Sequence, residues 1–192
     1  VKTALLGGSF NPIHIGHLVM AEEVLLATGC DRILFLPAYI PPHKAMDDPG
    51  AEHRAGMLQA SIDGDHRFAL SRCELERAGV SYTIDSLRIL QSQHLVEEHP
   101  CIVIGDDLVE GFSTWKEAEA LSRAAELIVV HRMSAQKLPF GYPHRYLDNR
   151  MLPVSSTEIR RLIREKGAWR YLVPEGARRL IEKHGLYGYS AD

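Results

Sequence analysis

Apolar positions along this 192-residue chain fall into two alternating patterns. Short unbroken apolar runs, which suit strands buried on both faces of a sheet, occupy Lys2 to Leu6, Arg32 to Leu36, Arg67 to Leu70, Cys101 to Ile104, Leu127 to Val130 and Met151 to Pro153. Between them the apolar residues recur at helical spacing over Ile15 to Thr28, Ala51 to Ile62, Thr83 to Gln93, Lys116 to Arg123, Ser156 to Glu165 and Pro174 to His184. In the first helix the stripe is Leu18, Val19, Ala21, Val24, Leu25 and Leu26, and Gly29 stands where a helix end favours positive φ. Pro174 and Gly185 punctuate the last helix in the same sense. The alternation predicts an α/β fold, Rossmann-like and doubly wound, with a mostly parallel sheet, helices on both faces and right-handed crossovers. One domain is expected over residues 1–192, its C-terminal part helical from about 155. Met133 to Arg150 is the longest predicted loop and Lys44 to Ala51 the next.

Composition narrows the class without choosing a function. An apolar content of 45% with 24% charged residues is ordinary for a globular protein, and a net charge of −3 argues against a nucleic-acid partner, which calls for a basic surface. Cys30, Cys73 and Cys101 are scattered without C-x-x-C spacing, so buried thiols are expected rather than disulfides or zinc ligands. No apolar run is long enough for a membrane span or forms a signal peptide, and a cytoplasmic protein is expected.

The chemistry concentrates near the N-terminus, in Gly7-Gly8-Ser9-Phe10-Asn11-Pro12-Ile13-His14-Ile15-Gly16-His17. A strand that ends in paired glycines and runs into a helix lets a phosphate approach the backbone and meet unpaired amides at the positive end of the helix dipole. His14 and His17, three residues apart at the helix entrance, can serve one anion together. The same pair also suits a purely structural role, one ring capping the helix and the other packing beneath it. Metal chelation would need a third ligand, and none lies nearby in sequence.

Four later segments carry further candidates. Pro41-Pro42-His43-Lys44 is a proline-stiffened loop ending in a cation, suited to a triphosphate or simply to a solvated turn. Ser81-Tyr82-Thr83 opens a helix, with Thr83 a good N-cap. Cys101-Ile102-Val103-Ile104-Gly105-Asp106-Asp107 ends a buried strand in carboxylates able to grip ribose hydroxyls or a hydrated magnesium ion, and Trp115 follows as a lid for a flat ring or a core anchor. Ser155-Ser156-Thr157-Glu158-Ile159-Arg160 spells a capping box and also a second anion site.

Taken together, these strings resemble the bacterial nicotinate mononucleotide adenylyltransferase family, in the nucleotidyltransferase superfamily that shares a His-x-Gly-His motif with class I aminoacyl-tRNA synthetases. They occur in the family's order from residue 2 to about 187. The resemblance implies transfer of the adenylyl group of ATP to nicotinate mononucleotide, with magnesium carried on the ATP phosphates and no dedicated protein metal site. It implies catalytic roles for His14, His17, Lys44 and Arg160. ATP contacts would come from Gly7, Gly8, Ser9, Phe10, His14, His17, Gly105, Asp107, Ser155, Ser156, Thr157 and Arg160. Mononucleotide contacts would come from Asn11, Lys44, Thr83, Trp115 and Arg132.

One segment departs from the family pattern. After Leu127 to Val130 the family commonly has Arg-Pro-Gly, whereas this chain has His131-Arg132-Met133-Ser134, which leaves the shape of that loop open. Other readings stay open too: an adenylyltransferase for nicotinamide mononucleotide or another phosphorylated acceptor, or a non-catalytic nucleotide sensor. A synthetase is disfavoured because the chain has no anticodon-binding domain or basic surface. Homo-oligomerisation is allowed but not specified.

Overall fold

In a computed structural model, which describes residues 1–42 and 49–191, six parallel strands form one sheet in the order β3-β2-β1-β4-β5-β6. The strands are β1 (Thr3–Gly8), β2 (Arg32–Pro37), β3 (Phe68–Leu70), β4 (Cys101–Gly105), β5 (Glu126–Val130) and β6 (His144–Leu147). The helices are α1 (Ile15–Thr28), α2 (Ala51–Ile62), α3 (Cys73–Arg77), α4 (Thr83–Ser92), α5 (Ala118–Ala124), α6 (Ser156–Arg164) and α7 (Glu175–His184). The chain order reverses between β1 and β4, and there the carboxyl ends of the two strands part to leave a crevice.

The apolar runs are unbroken because both sheet faces are covered. Ala4, Leu6, Phe35, Val103 and Ile128 pack with α1, α2, α6 and α7 on one side. Leu5, Leu34, Ile102, Ile104 and Leu127 point to the other, against α4, α5 and Phe112. The period of two along each strand thus feeds two cores, so a one-residue slip of β1 against β2, paired from Thr3↔Arg32 to Gly8↔Pro37, would exchange them.

Six elements differ from expectation. The sixth strand is His144–Leu147, inside the segment expected to be loop, while Met151 to Pro153 forms no strand. β6 lies at the sheet edge and pairs only with β5, so it needs no apolar run; exposed Met151 and Leu152 are followed by Pro153, which cannot donate to a ladder. α3 was not foreseen, being one turn of Cys-Glu-Leu-Glu-Arg too short to show a period. Tyr82, rather than Thr83, is the N-cap of α4, and Pro174 precedes α7 as its N-cap. α5 starts at Ala118, since Glu117 adopts left-handed φ 53°. On α1 the buried face is Met20, Ala21, Val24 and Leu25, with Leu26 left 75% exposed.

The C-terminal helices reach the sheet through a tight crossing of α7 on α2. A Cβ at Gly176 would stand 2.0 Å from the Ala60 carbonyl oxygen and 2.3 Å from its carbon, both backbone atoms. Gly176→Ala would gain up to about 1 kcal/mol of helix propensity, but prying the helices apart costs roughly 1–3 kcal/mol or more. Net destabilisation is the expected outcome in urea denaturation; an unchanged or higher midpoint would show that the crossing relaxes freely.

Candidate active site

The loop after β1 is held by side chains from distant parts of the chain. Arg54 of α2 donates to the Ser9 carbonyl at 2.6 Å and to the Tyr39 carbonyl at 3.1 Å. Arg160 of α6 donates to the Asn11 carbonyl at 2.7 Å, and the Ser156 hydroxyl to the Pro12 carbonyl at 2.8 Å. The buried Tyr187 hydroxyl donates to Asn11 Oδ1 at 2.7 Å. Phe10 takes a left-handed backbone, φ 45°, a cost of about 1–2 kcal/mol that is offset by complete burial of its ring against Phe35 and His17.

This loop forms one wall of a cavity of about 480 Å³ at the β1–β4 crevice. Gly7, Gly8, Ser9, Asn11 and His17 line it from the loop side. Gly7 has nothing within 4 Å of where a Cβ would lie, so its backbone is open to a ligand, whereas a Cβ at Gly8 would press on the Phe10 ring at 3.1 Å. Gly105, Asp107 and Arg132 line it from the ends of β4 and β5, and Thr83 and Trp115 from the far side. Ser155, Ser156, Thr157 and Arg160 close it from the start of α6, where Ser155 Oγ accepts the Glu158 amide at 3.2 Å and caps the helix.

Two predicted residues stand apart from this lining. Phe10 lies under the wall with its ring in the core, and His14 lies under His17, 5% exposed. Lys44 falls outside the described residues.

The two histidines are not equivalent. Their rings stack with centroids 3.7 Å apart, and the His14 backbone amide donates to His17 Nδ1 at 3.2 Å. With Nδ1 accepting, a neutral His17 carries its proton on Nε2. Burial, helped by the positive charge of Arg132, pushes the His14 pKa down to about 4, so this imidazole is neutral at physiological pH. Gly16 makes room for it: a Cβ there would be 3.0 Å from His14 Nδ1 and 2.9 Å from Val154.

Across the cavity, Arg132 pairs with Asp107 at 3.2 Å, and the two side chains occupy the space over Gly105, where a Cβ would lie 2.2 Å from Asp107 Oδ1. Trp115 packs on buried Phe112 with ring centroids 5.0 Å apart, so it is anchored on one side while it lines the cavity on the other. Lys116 is tied to Asp85 at 2.8 Å.

Comparison with known proteins fixes the lineage. Residues 5–162 match the cytidylyltransferase-like family. A probable nicotinate-nucleotide adenylyltransferase of Thermus thermophilus is 41% identical over 97% of this chain and 100% of that protein. One from Borrelia hermsii is 35% identical over 97% of this chain and 98% of its own length. The chain belongs to the nicotinate-nucleotide adenylyltransferase family. Its fold is that of family members solved from more distant sources: a Plasmodium falciparum nicotinic acid mononucleotide adenylyltransferase complexed with NaAD superposes with TM-score 0.79 at 19% identity, covering 100% of this chain and 99% of that one.

Three residues that shape this site lie outside the sequence motifs. Arg54 is 1% exposed, and its signal is a charged residue within the buried stripe of Ala55, Met57 and Leu58 on α2. Glu74 lines the cavity from α3 and accepts the Ser86 hydroxyl at 2.7 Å, but α3 shows no pattern. Tyr187 lies beyond the last predicted helix, with no sequence signal that it would return to Asn11.

A pH dependence follows from His14. The unfolded chain binds its proton near pH 6.5 and the folded chain only near 4. Between these values the unfolded state binds more protons, so stability falls as pH drops through the window, by up to about 3 kcal/mol. His14→Asn is expected to lose less stability than the parent chain when urea melts at pH 7 and pH 4.5 are compared. Equal losses would mean that His14 titrates alike in both states.

Proposed function

We propose that this chain transfers the adenylyl group of ATP to nicotinate mononucleotide, giving nicotinate adenine dinucleotide and pyrophosphate, as a single cytoplasmic nucleotidyltransferase domain acting on small molecules. The observation that carries this reading is the convergence, on one cavity, of the glycine loop, His17 and the hydroxyl and guanidinium groups of Ser156, Thr157 and Arg160. Among the described residues no helix is long and apolar enough to cross a membrane.

In the proposed reaction a 5′-phosphate oxygen of the mononucleotide attacks the α-phosphorus of ATP. The new P–O bond forms as the bond to the β-phosphate oxygen breaks, and pyrophosphate leaves with that electron pair. A phosphate dianion is already a nucleophile, so the protein's task is positioning and stabilisation of negative charge. His17 Nε2–H donates to the transferring phosphate, while neutral His14 fixes the stacked pair through its backbone bond to His17. Ser156, Thr157 and Arg160 hold the outer phosphates at the α6 N-terminus, with Lys44 as a further cation. Asp107 takes ribose hydroxyls, Arg132 the mononucleotide phosphate, and Trp115 and Thr83 the pyridine ring.

Among the described residues no group of three or more His, Cys, Asp or Glu side chains is gathered to hold an ion; in the proposed reaction magnesium is carried on the ATP phosphates. Bound there, magnesium supplies charge neutralisation of the leaving pyrophosphate.

The test is pyrophosphate release from ATP and Mg²⁺ with nicotinate and nicotinamide mononucleotides offered in parallel. Preference for the acid is expected; equal use would overturn the assignment of the ring, and silence with both would overturn the reaction. A folded His17→Ala variant is expected to lose on the order of 10²-fold or more in turnover, as for loss of a single oxyanion donor. Unchanged turnover would remove His17 from the chemistry.

A further inference from the structure

The segment that leaves β5, His131-Arg132-Met133-Ser134, carries Arg132 to the cavity, yet it contains no proline to stiffen it. Its four consecutive amides each donate to a side-chain oxygen. His131 donates to Asn149 Oδ1 at 2.7 Å. Arg132 and Met133 donate to Asp106 Oδ1 at 2.9 and 3.0 Å, and Ser134 donates to Asp106 Oδ2 at 2.9 Å. Asp106 is 1% exposed and is absent from the cavity wall, so its carboxylate faces the loop and not a ligand. The turn is further closed by His131 Nδ1, 2.6 Å from the Ser134 carbonyl oxygen, which fixes that nitrogen as the donor. A buried carboxylate is costly to desolvate, and three charge-assisted bonds to backbone N–H groups supply the compensation.

We propose that Asp106 is a positioning residue: it locks the backbone of residues 132–134 so that the Arg132 guanidinium is presented over Gly105 to the phosphate of the nucleotide acceptor. Arg132 is thereby held at both ends, its backbone by Asp106 and its guanidinium by Asp107 at 3.2 Å until substrate competes for it. This inference rests on the adenylyl-transfer reading for the identity of the acceptor, and on the geometry alone for the lock.

The experiment compares Asp106→Ala, Asp106→Asn and Arg132→Ala with the parent chain, by steady-state kinetics in both substrates and by hydrogen exchange of the 132–134 amides. Asp106→Ala is expected to raise the KM for the mononucleotide about tenfold or more, the weight of one charge-assisted contact, with the KM for ATP shifted less than about threefold. Asparagine keeps Oδ1 as an acceptor for two of the three amides, so Asp106→Asn should fall between alanine and the parent. The double variant Asp106→Ala/Arg132→Ala should be no worse than Arg132→Ala alone, because one residue acts through the other. Losses that multiply in the double variant, or an equal rise in both KM values, would overturn the positioning role. Unchanged exchange at residues 132–134 in a folded Asp106→Asn or Asp106→Ala variant would overturn the lock itself. If the parent chain turns over no mononucleotide, the reaction reading fails, and the exchange data still decide whether Asp106 holds the loop.

Discussion

The arrangement depends most on how the carbonyl groups of residues 9–12 are held. A loop of this kind has to keep one conformation without a ladder of its own. Here that conformation is imposed from outside, by Arg54 on the Ser9 carbonyl, Arg160 on Asn11, Ser156 on Pro12 and the Tyr187 hydroxyl on the Asn11 side chain. Two of the four are guanidinium groups, and burial draws the Arg54 pKa below its ordinary value without a carboxylate to oppose it in these bonds. The grip therefore places positive charge beneath the loop where a polyanion would rest.

That grip makes the C-terminal helices part of the site rather than an appendage. α7 can approach α2 closely only because Gly176 has no side chain, and this docking carries the short turn at Leu186–Gly188, with Tyr187, back to the N-terminal loop. α6 presents its capped N-terminus and Arg160 to the same loop. The sheet contributes the other half: the reversal of strand order between β1 and β4 opens the crevice, and the ends of β4 and β5 bring Asp107 and Arg132 to face the glycine wall.

Electrostatics within the cavity is divided between charge held ready and charge withheld. Arg132 and Asp107 neutralise each other across Gly105, while His14 is kept uncharged by burial and by the nearby arginine. His17 is thus stacked on a neutral partner, and its Nδ1 accepts a backbone bond that follows from the helix start itself.

By itself the sequence determined the alternation of strands and helices, the two glycine-bearing strand ends and the α6 cap, because each is written locally as an apolar run, a turn residue or a capping pair. It also determined most of the cavity lining, since much of it comes from two contiguous stretches, Gly7 to His17 and Ser155 to Arg160. Tertiary structure decided what no short window contains. It placed the edge strand at His144–Leu147, where pairing with β5 substitutes for apolar character. It buried Arg54 under the loop and returned Tyr187 to Asn11 across 176 positions. It also turned Asp106 away from the ligand to hold the arginine loop. These contacts join residues distant in sequence, and their free energy comes from burial and hydrogen bonding that exist only once both cores have formed.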